Sequence, residues 1–104
     1  MNHGLSDKTV ATVSGILARY PQVERAFIYG SRAKGTYKPG SDIDLTLFGE
    51  GLDCGICSNI ASDLDDSDIP YLVDLSVFAL LKDQSLREHI ERVGLVLYRR
   101  AETA

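Results

Sequence analysis

Asp42 and Asp44 stand at the head of an otherwise apolar run, DIDLTLF, over 42–48. That run reads as a β-strand, and successive strand side chains point to opposite faces. Asp42 and Asp44 therefore share one face, and Ile43, Leu45 and Leu47 share the other. Carboxylates two residues apart on a strand have Cα atoms about 7 Å apart, so their oxygens can converge on one cation. Without a cation they repel, and at least one pKa rises. Such a pair at the start of an apolar strand is costly unless something positive sits beside it.

The elements around this strand follow from periodicity. Ser6 or Asp7 can cap a first helix carrying Val10, Val13, Leu17 and Tyr20, with Pro21 as its stop. The segment RAFIYG is a strand ending in Gly30, SRAKG allows a turn or two of helix, and KPGS signals a turn. Leu52, Ile56, Ile60 and Leu64 line one side of a helix, and the acidic stretch DLDDSD closes it as a solvated loop. YLVDLSVF is a third strand. Ser85 and Glu88 have capping-box spacing for a short helix with Leu86, Ile90 and Val93, stopped by Gly94, and LVLYR is a last strand. The order αβ(α)βαβαβ gives an α/β (α+β) class: one domain over 1–104 with a sheet of about four strands and helices packed on it. Strand order and direction stay open at this point.

A third acid, Asp74, interrupts the apolar run YLVDLSVF between Leu72 and Ser76, and an ionisable group there calls for a partner. Asp42, Asp44 and Asp74 offer oxygen ligands with no His or Cys nearby, which selects Mg²⁺ over softer metals. Gly30 and Ser31 follow a strand directly, where the backbone can approach a ligand and the next amides can meet an anion. Arg32, Lys34 and Lys38 add positive charge nearby. GSRAKGTY shares the outer glycines of a P-loop, but Thr36 and Tyr37 stand where that motif needs Lys and then Ser or Thr, so it is not one.

Bulk properties narrow the partners. A net charge of −4 argues against strong direct nucleic-acid binding, which needs a basic stripe. No apolar run approaches the roughly 20 residues that span a bilayer, and MNHGLSDKT lacks the basic start and apolar core of a secretory signal. The expected location is cytoplasmic. Cys54 and Cys57 form a C-x-x-C without a second ligand pair, so they read as two reduced structural thiols. His89 is placed on the exposed side of its helix and His3 in the terminus, each without a role.

Gly30-Ser31, ten intervening residues, Asp42-x-Asp44 and a later strand Asp together resemble the signature of the DNA polymerase beta-type nucleotidyltransferases. More closely, GSRAKGTYKPGSDIDL is similar to the signature of minimal nucleotidyltransferases, and the looser match runs over nearly the whole chain. Lys34 stands where many relatives have Arg. The resemblance implies a nucleotidyltransferase fold with a mixed sheet, ATP as substrate and two Mg²⁺ ions. Nucleotide binding then falls to Gly30, Ser31 and Arg32. Metal binding and catalysis fall to Asp42, Asp44 and Asp74, the last also helping to activate an acceptor hydroxyl. Larger relatives carry an acceptor-binding domain for which this chain has no residues left, so the acceptor comes from a partner chain or a homodimer interface. Minimal members often accompany a helical HEPN-type protein, as antitoxins that add AMP to a toxin tyrosine. Two other functions fit the same residues: a non-catalytic nucleotide-binding module that masks a partner, and a transferase acting on a small molecule of the aminoglycoside type.

Overall fold

The computed structural model describes residues 4–35 and 42–100. The elements run α1 (Asp7–Leu17), β1 (Arg25–Tyr29), α2 (Ser31–Lys34), β2 (Ile43–Phe48), α3 (Cys54–Asp65), β3 (Val73–Val77), a 3-10 turn (Phe78–Leu80), α4 (Gln84–Val93) and β4 (Leu95–Arg99). The strands form one four-stranded sheet in the order β3-β2-β1-β4. β1 pairs antiparallel with both β2 and β4, whereas β2 and β3 are parallel. A parallel pair needs a long crossover, and α3 supplies it. This is the expected mixed sheet with flanking helices.

Three helix ends differ from the sequence reading. α3 starts at Cys54 because the Asp53 side chain caps it by accepting from the Ile56 amide, so Leu52 lies before the helix. α1 stops at Leu17, with Ala18 as its C-cap, so Tyr20 lies beyond the helix and its hydroxyl bonds Asp63 instead. α4 starts at Gln84 because Asp83 is the N-cap: its Oδ1 accepts from the amides of Ser85 and Leu86, at 3.0 and 3.3 Å. The Ser85–Glu88 pair sits two residues too late to cap the helix, since the Asp83 carboxylate upstream already holds the first amides. Ser6 caps α1 and Gly94 ends α4 as expected. Tyr37, Lys38 and the Pro-Gly turn at 39–40 lie outside the described residues, as do His3 and the last four residues.

One face of the sheet is a dry core. Ala26 and Ile28 on β1 and Ile43, Leu45 and Leu47 on β2 are fully buried, under Val13, Ile16 and Leu17 of α1 and Ile60 and Leu64 of α3. Each fully buried Leu or Ile contributes about 1.5–3 kcal/mol, so this layer carries most of the drive to fold. The other face holds the residues between: Arg25, Phe27 and Tyr29 on β1, Asp44, Thr46 and Phe48 on β2, Asp74 and Ser76 on β3. α4 covers part of it and is pinned there by Ile90, which is fully buried.

Candidate active site

Strand register arranges this second face in rows. In the first, Tyr29 is opposite Asp44 and Asp44 is opposite Asp74. Neighbouring strands are about 4.8 Å apart, so the two carboxylates are cross-strand neighbours. The second row is Phe27, Thr46 and Ser76. The third pairs Arg25 with Phe48, and Phe48 stacks on Phe78 with ring centroids 4.7 Å apart. The surface thus passes from acid through hydroxyl to aromatic along the strands. The hydroxyl row is bonded: Ser76 Oγ donates to Thr46 Oγ1 at 3.0 Å and reaches the Leu45 carbonyl at 3.4 Å. Both contacts tie β3 to β2 beside the acids.

Asp44 is half-buried, and its pKa is raised first by burial, then by the charge of Asp74, then by that of Asp42. The charges of Asp42 and Asp74 thus both act on Asp44. Gly30 locks this carboxylate to the turn. Its φ of 74° suits glycine alone, and a Cβ there would land on Asp44 Oδ2. Gly30 and Asp44 are thus in direct contact, with Ser31 opening α2 immediately after.

Arg32 is placed differently from an exposed anion binder. It is only 2% exposed, with its guanidinium 4.6 Å from the centre of the Tyr71 ring. It ties α2 to the segment that leads into β3. Asp74 is also not the buried charge that its apolar surroundings suggest: β3 is an edge strand, and the Asp74 side chain is exposed. Asp42, one residue before β2, is exposed as well. The structure pairs Asp44 with Asp74 and couples Asp42 to them electrostatically, but among the described residues no three His, Cys, Asp or Glu side chains are gathered into a ready metal cage. The donor chemistry nonetheless fits a hard divalent cation. All the donors are oxygens, and the half-buried one carries a raised pKa that positive charge would bring down.

Sequence reasoning missed Tyr29, Thr46, Ser76 and His89. The first three were open to discovery, because the period of two that puts Asp44 and Asp74 on this face puts Thr46 and Ser76 there too. His89 was assigned to solvent, and the structure corrects this: it is half-buried, edge-on to Tyr29 at 6.3 Å between ring centres. Its helix stripe is wider than Leu86, Ile90 and Val93, since residue 89 is three after Leu86 and lies on the flank of that stripe. Burial lowers its pKa, Lys34 and Arg92 lower it further, and Asp44 acts in the opposite sense. Cys54 is exposed, Cys57 is half-buried, and both are free thiols. Among the described residues no helix is long and apolar enough to cross a membrane.

A sheet with a Gly-Ser turn pressed on a strand Asp, itself paired with an Asp on the next parallel strand, defines a nucleotidyltransferase architecture. The chain belongs to the polymerase beta nucleotidyltransferase family, whose pattern it matches over residues 11–103. It is 30% identical over 100 residues to a probable protein adenylyltransferase, MntA, of Haemophilus influenzae, covering 95% of this chain and 87% of that one. Its fold is similar to a chain in a crystal structure of a toxin-antitoxin with AMP-PNP, with a TM-score of 0.71 at 22% identity, covering 92% of this chain and 75% of the other. A chain in a complex of tri-AMPylated Shewanella oneidensis HEPN toxin with MNT antitoxin is similar too, with a TM-score of 0.70 at 18% identity, covering 92% and 74%.

Proposed function

We propose that this protein transfers AMP from ATP to a tyrosine hydroxyl of a HEPN-type helical partner and acts as its antitoxin. The observation that carries the reading is the contact chain Gly30–Asp44–Asp74, which puts a phosphate-approaching turn and two carboxylates in one row. The likeness to a protein adenylyltransferase supports the choice of AMP and of a protein acceptor. The solved toxin-antitoxin complexes support a HEPN-type partner.

The acceptor oxygen attacks the α-phosphorus, the bond from that phosphorus to the bridging oxygen breaks, and pyrophosphate leaves. Gly30 and Ser31 hold the triphosphate by close backbone approach and a hydroxyl, with Arg32 fixing the short helix behind them. Asp42, Asp44 and Asp74 are the ligands for Mg²⁺, which when bound neutralises phosphate charge and makes the acceptor hydroxyl more acidic. Asp74 is exposed at the sheet edge, where an incoming tyrosine reaches it, and takes the hydroxyl proton. Location in the cytoplasm belongs to this same reading, since ATP and the partner must meet the site there.

The test uses the protein, its partner, Mg²⁺ and ATP labelled at either the α- or the γ-phosphate. Label in the partner from α-labelled ATP alone is the expected result, with loss on Asp44→Ala and on Tyr→Phe at the acceptor. Label from γ-labelled ATP, or undiminished transfer by Asp44→Ala, overturns it. The absence of a ready cage of three acids among the described residues favours one rival, a module that only masks its partner. That rival is separated by Asp74→Ala, which should leave masking intact but abolish AMP transfer.

A further inference from the structure

We infer that Leu72 is a specificity-determining residue for the acceptor: its side chain carries the ring of the attacking tyrosine while the phenol oxygen meets Asp74. This rests on the transferase reading and deepens it, by naming what favours a phenol over an aliphatic hydroxyl.

The backbone sets Leu72 beside the acids. The Ile43 N–H donates to the Leu72 carbonyl at 2.8 Å, so the parallel pairing of β2 with β3 continues past the Ile43–Val73 pair. Extending that register by one residue brings Leu72 level with Asp42, next to the row of Asp44 and Asp74. Side chains alternate along a strand. Tyr71, Val73 and Leu75 pack against the core, which leaves Leu72 with Asp74 and Ser76 on the acidic face. The segment is held from a second side, because the Tyr71 ring lies 4.6 Å from the guanidinium of Arg32 on α2. Leu72 is therefore the fourth corner of a patch whose other corners are Asp42, Asp44 and Asp74.

A single exposed leucine is ordinary on a protein surface, but this one stands where the acceptor must pass. Leu72 is 70% exposed, against 49% for Leu80 and 47% for Val96. Leu80 follows the far end of β3, and Val96 is on β4, two strands away from Asp44. Asp74 is exposed on the same edge strand as Leu72. An acceptor with its hydroxyl at Asp74 has two neighbours along β3 on which to rest the remainder of its side chain. Ser76 is half-buried, and its hydroxyl is already engaged with Thr46. Leu72 is open and apolar. Tyrosine has an apolar body and a polar tip, and alternate strand residues are about 7 Å apart, a span comparable with the length of a tyrosine side chain. The three acids can receive the tip and the metal, and Leu72 supplies the surface for the ring. A serine or sugar hydroxyl brings no ring to cover it.

The test pairs Leu72→Asn, close in size but polar, with Leu72→Met, which restores an apolar chain. AMP transfer to the tyrosine-bearing partner is measured with Mg²⁺ and ATP, and ATP binding to each variant by calorimetry. Leu72→Asn should lower kcat/KM for the partner about tenfold, Leu72→Met should stay within about threefold of wild type, and ATP affinity should change by less than about twofold. Equal transfer by Leu72→Asn and wild type overturns the inference, as does a loss of ATP affinity that matches the loss of transfer, which would place adenine on Leu72. A double-mutant cycle separates the ring from the rest of the partner's surface. Partner binding is measured with Mg²⁺ and an ATP analogue bearing a methylene between the α- and β-phosphorus. Leu72→Asn should weaken binding of the partner with its acceptor tyrosine and leave binding of the Tyr→Ala partner unchanged. Equal weakening of both overturns the inference while the transferase reading stands. A wild type that transfers no AMP to the partner overturns both.

Discussion

The two faces of the sheet are made from the same strands, one residue out of phase. On β2, Ile43, Leu45 and Leu47 are fully buried against α1 and α3, while Asp44 is half-buried on the other side. On β3 the contrast is softer, because an edge strand leaves Val73 and Leu75 partly exposed and Asp74 open. The core face depends on shape and volume, so most changes there cost stability. The acidic face places charge beside charge, and the raised pKa of Asp44 shows that this works against folding when the group is ionised. A strand period of two lets one segment serve both ends, and a slip of one residue would exchange them.

The largest effect should come from the acidic face with the core untouched. Asp44→Asn keeps the shape of the side chain but removes its charge, and AMP transfer should fall about 10³-fold or more, roughly 4 kcal/mol of barrier. Circular dichroism should show the same fold, and a variant that also loses its secondary structure would break the division between faces. Leu45→Ala, the next residue, should do the reverse. It opens a cavity at a fully buried position and should cost about 2–5 kcal/mol in urea unfolding, while the folded fraction keeps its transfer rate. Gly30→Ala joins both sides, since it strains a backbone at φ 74° and drives a Cβ into Asp44. It should cost about 1–3 kcal/mol of stability and weaken ATP binding more than Leu45→Ala does. A Gly30→Ala protein that binds ATP normally would separate the turn from the acid and blunt the comparison.

Much of this division was legible in the sequence, for reasons that differ by element. The alternation in DIDLTLF gives the two faces of β2 directly, and Gly30-Ser31 marks a turn that needs a special backbone. The adjacency of Asp44 and Asp74 was legible only through the family resemblance and not from the residues themselves, because it depends on β2 and β3 being parallel neighbours in register, a long-range fact. Asp74, set between Leu72 and Ser76 in an apolar run, called for a partner. Only the strand order reveals an edge, where Leu72 is 70% exposed. Arg32 resembled a ligand contact by its position beside Ser31, yet a partner 39 residues on, Tyr71, draws it inward. His89 was missed for the same reason: what faces it comes from β1, α2 and β2 rather than from its own helix.

The smallest predicted effect is the most direct measure of how far the acidic face opposes folding. Asp44 has a pKa raised above its ordinary value of 3.8, with burial as the largest cause and the charges of Asp74 and Asp42 next. The folded state then holds the Asp44 proton more tightly than the unfolded chain does. Stability linked to this group is therefore full at pH below the ordinary value, declines as pH rises toward the raised value, and stays lost above it. Asn carries no such charge. In a chelator, Asp44→Asn should be more stable than wild type at neutral pH, and the gap should close as pH falls below about 4. The carboxylate is partly exposed and screened, so the gain should stay under about 1 kcal/mol. Urea midpoints at both pH values, with unchanged slopes, would read it. ATP with Mg²⁺ should reverse the order, because ligand that binds only the folded wild type adds stability that the variant cannot gain. If Asp44→Asn is instead the less stable protein at neutral pH without ligand, the charge makes favourable contacts within the chain. The acidic face would then be part of the scaffold, held together on its own terms rather than waiting for a cation.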